Sequence, residues 1–457
     1  VITWLQNALA FLVTLGILVT IHELGHYLVA RWCGVKVLRF SLGMGKVIYS
    51  RRFGRDQTEW AISILPLGGY VKMLDAREQG AENISPKELP REFCQQSVWK
   101  RIAIVAAGPI ANFLLAIALY SVLFMHGFSE QAAKVRVASA SIAYQAGLRY
   151  GDLVTGIDNE AIQTWSELRW RLMQARLAGT NPALEIRRAN PDRASATVTM
   201  TIELPLQSLN ANEVDGDFLG QLGLNLVSNK EVIFEELLPA SPALQAGLKA
   251  GDRILEIDRK PLLDVIEFRQ VVNANPGKPL KLLVQREQEQ FEADVTPTVQ
   301  EVSKQKVGLL KVKLKGLPPE MAVVQASGFA ALSRAAEKTW DTSLFSFKML
   351  GKMLTGKVSL KHITGPLTIA DYAGQTSRVS AISYLAFIAL ISISLGVMNL
   401  LPIPVLDGGY LLYYSLEVLR GKPLPERYME MGQRAGFFLL LTMMAIAFFN
   451  DIVRLVS

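Results

Sequence analysis

Charge is scarce in this chain. Lys, Arg, Asp and Glu make up 19% of its 457 residues while 50% are hydrophobic, which excludes a disordered or collagen-like protein and argues against an ordinary soluble one. Cysteine is nearly absent. Cys33 and Cys94 are too few for a disulfide scaffold or a cysteine-rich metal site, and both read as free packing thiols. The small basic excess, a net charge of +7, requires no nucleic acid, and the length allows two to four units of about 100–200 residues each.

Formal charge is missing altogether from residues 1–22, 102–129, 379–406 and 435–450. A bilayer core needs about 20 apolar residues per helix, so the first three runs qualify directly and the fourth needs its flanks. The expected fold class is therefore a polytopic α-helical membrane protein with four transmembrane helices. The first run continues past Glu23 with no small-residue cleavage site, so it reads as a retained helix and not a secretory signal. Residues 31–101 carry 13 Lys and Arg against seven Asp and Glu. That excess predicts a cytoplasmic loop, and with it an N-terminus, a long 130–378 segment and a C-terminus on the outer side.

The cytoplasmic loop holds four short runs rich in β-branched and aromatic residues, 35–40, 47–50, 58–64 and 70–74. Gly43-Met44-Gly45 and two further turn clusters separate them, which predicts a small β-sheet near the end of the first helix. In the outer segment a pattern recurs after 100 residues: Ala-Gly-Leu148, Gly151-Asp152 and Ile157-Asp158 return as Ala-Gly-Leu248, Gly251-Asp252 and Ile257-Asp258. Each copy reads as a short helix ending at Gly, a tight turn, a strand and a second turn at Asp. The pattern resembles the circularly permuted PDZ domains of bacterial envelope proteases, and the resemblance implies capture of peptide C-termini by strand addition. Leu222, Gly223 and Leu224 read as a carboxylate loop and strand of the second copy, with no counterpart before Val135 in the first. A size filter over the membrane is the reading to set against peptide capture. Farther on, apolar residues from Phe329 to Leu354 at three- and four-residue spacing predict an amphipathic helix, on the outer membrane surface or covering the other helices. The domain expectation is thus 1–129 (two transmembrane helices and the sheet), 130–222 and 223–316 (the two PDZ-like units), 317–378 (the amphipathic helix and its connection) and 379–457 (the last two transmembrane helices).

Chemistry concentrates in the first helix. His22-Glu23-Leu-Gly-His26 spends two of only four histidines within five residues, placing two imidazoles on one helical face where both can hold a tetrahedral metal beside Glu23. Three ionisable residues in an apolar segment cost about 2.5 kcal/mol or more each unless paired or functional, which weighs against a merely packed histidine pair. A third ligand is needed. His126 and His362 are expected on the outer side, whereas Asp407 follows the third helix at the depth of the histidines. It lies in the run 399–409, whose Pro402 and Pro404 free backbone groups at membrane depth.

Taken together, HELGH in helix one, Gly108-Pro-Ile-Ala-Asn112 in helix two, Asn399 to Asp407 after helix three and the tandem repeat resemble the bacterial site-2 proteases, in particular the branch that regulates sigma-E. That resemblance implies one Zn2+ per chain on His22, His26 and Asp407, Glu23 as the catalytic group, and Asn399, Asn112, Gly43 and Gly45 as substrate-handling positions. It also implies an inner-membrane location, with the PDZ-like units in the periplasm and the zinc near the cytoplasmic side. The substrates implied are single-pass membrane proteins, an anti-sigma factor already trimmed outside and leftover signal peptides among them. The rival readings are a catalytically inactive PDZ receptor or scaffold, which predicts no tightly held zinc, and a transporter, which predicts flux.

Overall fold

The computed structural model describes residues 2–76, 84–189, 197–208, 218–227, 231–302, 305–315, 320–355 and 365–456. The chain divides into two compact units, Val1–Phe128 with Val324–Ser457, and Ser129–Val323.

In the first unit, helix α1 (Ile2–Trp32) leads into strands β1 (Val37–Phe53) and β2 (Thr58–Met73), then helix α2 (Val98–His126). After the second unit come α3 (Gly328–Leu354), α4 (Pro366–Val379), α5 (Ala381–Asn399), α6 (Asp407–Arg420) and α7 (Glu426–Val456). Four of these are long and apolar enough to cross a membrane: Thr3–Trp32, Val98–His126, Ala381–Asn399 and Arg427–Val453. The last apolar run, short in the sequence, gains its span because the helix starts at Glu426, well ahead of the uncharged stretch. His362 lies outside the described residues.

Helix α2 is central. Gly25 of α1 lies so close to it that an added Cβ would sit 2.8 Å from the Ala111 Cβ and strike the Ala107 carbonyl. On its other side a Cβ on Gly396 of α5 would lie 3.0 Å from the Phe113 ring. Small residues thus let three apolar helices approach backbone to backbone, the packing that works where water supplies no hydrophobic drive. The amphipathic helix α3 covers the bundle through Ala331 and Ala335, which are buried with Ala116 and Leu123 of α2 and Ala389 and Ile393 of α5. Its large residues Phe329 and Trp340 point away and are exposed. At the far end of α7, Asp451 accepts from the Gly365, Leu367 and Thr368 N–H groups and from the Thr368 hydroxyl at 2.6 Å, so a carboxylate from another helix caps α4.

The two long strands are bent, and the bends recover the four short runs of the sequence. Phe40 faces both Val71 and Trp60, and Ser41 both Tyr70 and Ala61. The segment around 39–42 is therefore flanked on both sides, and 47–53 pairs back onto 58–63. Gly43, Gly45 and Gly68 make the bends at φ of 86°, 85° and 95°, a region open to glycine and strained for other residues. Aromatic contacts among Tyr27, Phe40 and Trp60 fasten the sheet to α1.

The second unit contains two packing centres built from the repeated pattern. One gathers Val135, Leu148, Val154, Leu168, Leu184 and Leu204, the other Phe234, Leu248, Ile254, Phe268, Leu282 and Val295. Each repeat fixes its Gly-Asp turn in the same way. Arg188 grips Asp152 at 2.7 Å and the Gly147 carbonyl at 2.8 Å; Arg286 grips Asp252 at 2.7 Å and the Gly247 carbonyl at 2.9 Å. Arg136 of the first repeat and Asp264 of the second form an ion pair with both side chains buried, and burial of such a pair makes loss of either partner costly.

One assignment changes here. Leu222 and Leu224, read from the sequence as part of the second copy, are fully buried in the core of the first, and Leu224–Leu226 pairs with Val135–Val137. This strand closes the repeat that precedes it, so sequence proximity points to the wrong neighbour. The second repeat has the equivalent strand at Val312–Leu314, paired with Val232–Leu237. Lys311 there holds a φ of 51° where the first repeat has Gly223 at 75°.

Candidate metal centre

The 3.6-residue turn of α1 puts His22 and His26 about one turn apart on the face turned to α2, and both residues are 9% exposed. Their Nε2 atoms are 3.2 Å apart. Asp407, the first residue of α6, brings Oδ2 to 3.2 Å from His22 Nε2 and 3.5 Å from His26 Nε2. A tetrahedral zinc with bonds of about 2.0–2.1 Å separates its ligand atoms by about 3.3–3.4 Å, so three donors stand at the edges such an ion requires. The Oδ2 atom of Asp407 is buried without a hydrogen-bond partner. A buried carboxylate oxygen facing two ring nitrogens calls for a cation.

Each donor is aimed by its surroundings. His26 Nδ1 lies 2.8 Å from the Ile104 carbonyl. That carbonyl can only accept, so the ring proton is on Nδ1 and the Nε2 lone pair is free to bind a metal. Pro109, inside α2, lacks the N–H that would bond to the Val105 carbonyl and so loosens the helix at the turn that receives His26. His22 Nδ1 stands 3.2 Å from Asn112 Nδ2. Gly108 lies between the two rings, and a Cβ there would strike both.

Asp407 is set by a folded loop. Residues 400–406 turn back on the start of α6 so closely that a Cβ on Gly409 would sit 2.6 Å from Pro404 Cα, and one on Gly408 would meet the Leu400 and Leu401 backbone. Val405 takes a φ of 99°, a strained value for a β-branched residue of the kind that gathers at sites. Arg101 of α2 holds Glu417 of α6 in a two-pronged pair at 2.6 and 3.2 Å and covers the Tyr414 ring, which ties the helix carrying Asp407 to the helix beneath the histidines.

Glu23 is half-buried beside them. The Val71 backbone lies near its carboxylate, and a Cβ on Gly69 would lie 3.0 Å from Glu23 Cγ. Gly69 and Val71 were not singled out from the sequence; only the return of β2 to α1 reveals them, and the Gly68-Gly69 pair was the available hint. Gly43 and Gly45 lie instead at the bend of β1, where a Cβ on Gly43 would press on the Leu65 and Ser63 carbonyls. Asn399 is the half-buried last residue of α5. Leu222 to Leu224 belong to the other unit. A second group, Asp75, Glu92 and Cys94, also meets metal-binding distances, but the Cys94 thiol donates to Asp75 at 3.4 Å and the Ala76 N–H to Glu92 at 2.8 Å. Its donors are thus partly committed within the protein.

A family model described as peptidase family M50 matches residues 10–443. A relative from Ralstonia nicotianae that carries a zinc-metalloprotease name is 42% identical over 464 residues, covering 98% of each chain. The regulator of sigma-E protease RseP of Salmonella typhimurium is 38% identical over 456 residues, covering 99% of each chain. Its namesake in Escherichia coli is 37% identical over 459 residues, covering 99% of this chain and all of its own.

Proposed function

The chain belongs to peptidase family M50 as a zinc metalloprotease of the site-2 type that acts on membrane-embedded substrates, and from that premise we propose how its residues divide the work. One Zn2+ per chain is held by His22, His26 and Asp407. Zinc supplies a Lewis acid for the scissile carbonyl and lowers the pKa of water to about 7. Glu23 takes the proton from the attacking water and delivers it to the leaving nitrogen. The return of β2 at Gly69 and Val71 packs beside that side chain.

A transmembrane helix hides its carbonyls in its own hydrogen bonds and must unwind before it is cut. The bent sheet beside Glu23 offers strand edges to hold the unwound stretch, with Gly43 and Gly45 shaping it, and Asn399 offers an amide for the freed backbone or the oxyanion. By likeness to the sigma-E regulators, the substrate is an anti-sigma factor already trimmed outside, with remnant signal peptides a further class. The basic loop supports a zinc site toward the cytoplasmic side of the inner membrane and a second unit in the periplasm. That unit consists of two PDZ-like domains, acting first as a size filter. The loop that would grasp a peptide carboxylate is Leu222 to Leu224 in the first domain.

The observation that carries this reading is the triad of donors at tetrahedral spacing, two from an apolar helix that also carries Glu23 and one from the start of α6. Purified protein reconstituted in vesicles with zinc should cut labelled single-pass helices within their apolar segment, mapped by mass spectrometry of the products. Tight zinc binding with no cleavage of any helix in a broad panel would turn the reading toward a receptor.

A further inference from the structure

Asn112, expected from the sequence to handle substrate, occupies a different position. It is fully buried, and its side-chain amide faces His22 Nδ1 at 3.2 Å. Its backbone carbonyl accepts from the Ser392 hydroxyl of α5 at 2.7 Å, which locks the residue between α1 and α5. The amide is placed with Nδ2 toward the ring, and Oδ1 is then buried without a partner.

That arrangement is costly and does not suit a metal. An amide N–H donating to Nδ1 requires the ring proton on Nε2, the atom that faces Asp407 and His26. A ligating Nε2 must carry a lone pair, so the proton must sit on Nδ1, and Nδ1–H needs an acceptor. Rotating the Asn112 amide by 180° supplies one, because Oδ1 and Nδ2 exchange places with no change in shape. The same turn gives the orphaned oxygen a donor and moves Nδ2 to where Oδ1 stood. His26 already has this arrangement, with its Nδ1–H on the Ile104 carbonyl.

Resting on the zinc reading above, we propose that Asn112 is a positioning residue for the metal, accepting the His22 Nδ1 proton through Oδ1 and so fixing Nε2 as the ligand. The helix-two motif then has two parts with separate duties: Gly108 makes room for the rings, and Asn112 orients one of them. A substrate-binding asparagine would leave metal affinity alone and raise KM.

The test is zinc affinity of full-length variants by competition with a chromophoric chelator, with the visible spectrum of the Co2+-loaded protein as a second readout. Asn112→Leu, similar in size without an acceptor, should lose about 10–100-fold in affinity and change the Co2+ spectrum. Asn112→Asp, which can accept but whose ionised form cannot donate, should stay within a few-fold of the parent. Ser392→Ala, which loosens the same residue without touching its amide, should match the parent and controls for packing. Asn112→Leu with parental affinity overturns the proposal, and so does Asn112→Asp falling as far as Asn112→Leu. The aspartate variant decides alone if the leucine variant does not fold. Absence of zinc binding by the parent protein would instead overturn the zinc reading itself.

Discussion

Gly69 of β2 lies so close to Glu23 that a Cβ on it would come within 3.0 Å of Glu23 Cγ, so the group that lies between the two histidines in sequence is flanked by the sheet as well as held by its own helix. Any substrate strand laid along that part of the sheet is thereby indexed to the proton-transfer group. The histidines, by contrast, are held from the opposite side by the Ile104 carbonyl and the Asn112 amide of α2. The proposed base and the two histidine ligands thus share α1 but are flanked by different neighbours, which makes their roles separable by mutation.

Glu23→Gln should retain zinc and lose turnover by about 10²–10⁴-fold, because it removes a base and no ligand. Asp407→Ala should lose both, as should treatment of the parent with a strong chelator. Metal content by mass spectrometry beside product formation separates the cases. Normal proteolysis by Glu23→Gln would remove it from the mechanism.

The meeting of His22, His26 and Asp407 was within reach of the sequence for a simple reason. Spacing of four fixes two residues on a helix face, and the bilayer restricts the third ligand to those at the same depth. The apolar runs reported the helices equally well, since length against bilayer thickness is nearly the whole criterion. Residues that act across elements were harder to find. Gly69 and Val71 reach Glu23 only because β2 bends back to α1, and no periodicity encodes that. Gly108 is chosen by the space two imidazoles need, which a sequence cannot display. Leu222 to Leu224 read as part of the following repeat, but the pairing of Leu224–Leu226 with Val135–Val137, about 90 residues back, is a long-range contact that chain order does not display.

Orientation is open to direct measurement. Cys94 lies in the basic loop, so an impermeant thiol reagent should leave it unlabelled in intact cells and reach it after the inner membrane is permeabilised. Cysteines introduced in a Cys94→Ser background at Gln163 or Gln270, both exposed, should be labelled from the periplasm without permeabilising the inner membrane. Labelling of Cys94 in intact cells would invert the topology and move the second unit to the cytoplasm.

Acid should weaken the second repeat. Burial alone would raise the Asp252 pKa, but the Arg286 guanidinium and the Lys249 N–H more than offset this and hold it below the ordinary 3.8. The unfolded chain therefore takes up the proton first. The contribution of Asp252 is whole above about pH 5 and drains as pH falls through 3.8 toward the folded value. Asp252→Asn should remove this acid-sensitive part and cost on the order of 1–3 kcal/mol at neutral pH, since Arg286 loses a buried charged acceptor. Amide exchange in strands Arg253–Ile257 and Leu280–Arg286, followed from pH 6 to 3, reads both effects. Identical pH profiles for parent and variant would contradict the assignment.

The second unit also bears on which substrates reach the site. A peptide-capture role needs an accessible loop at Leu222 to Leu224, yet Leu222 and Leu224 are fully buried in the core of the first repeat. That leaves only the backbone around Gly223 to meet a carboxylate, and a Cβ there would press on Ser141. A filter needs no such loop, only bulk, and the buried Arg136–Asp264 pair joins the two repeats. Deleting residues 135–310 with a short flexible bridge should therefore let the enzyme cut substrates that keep a bulky outer domain, while the rate on trimmed substrates holds. Capture predicts the reverse: slower cleavage of trimmed substrates, reproduced by Gly223→Val in the intact chain. A time course with both substrates distinguishes the two, and continued rejection of the untrimmed form by the deletion protein would rule the filter out.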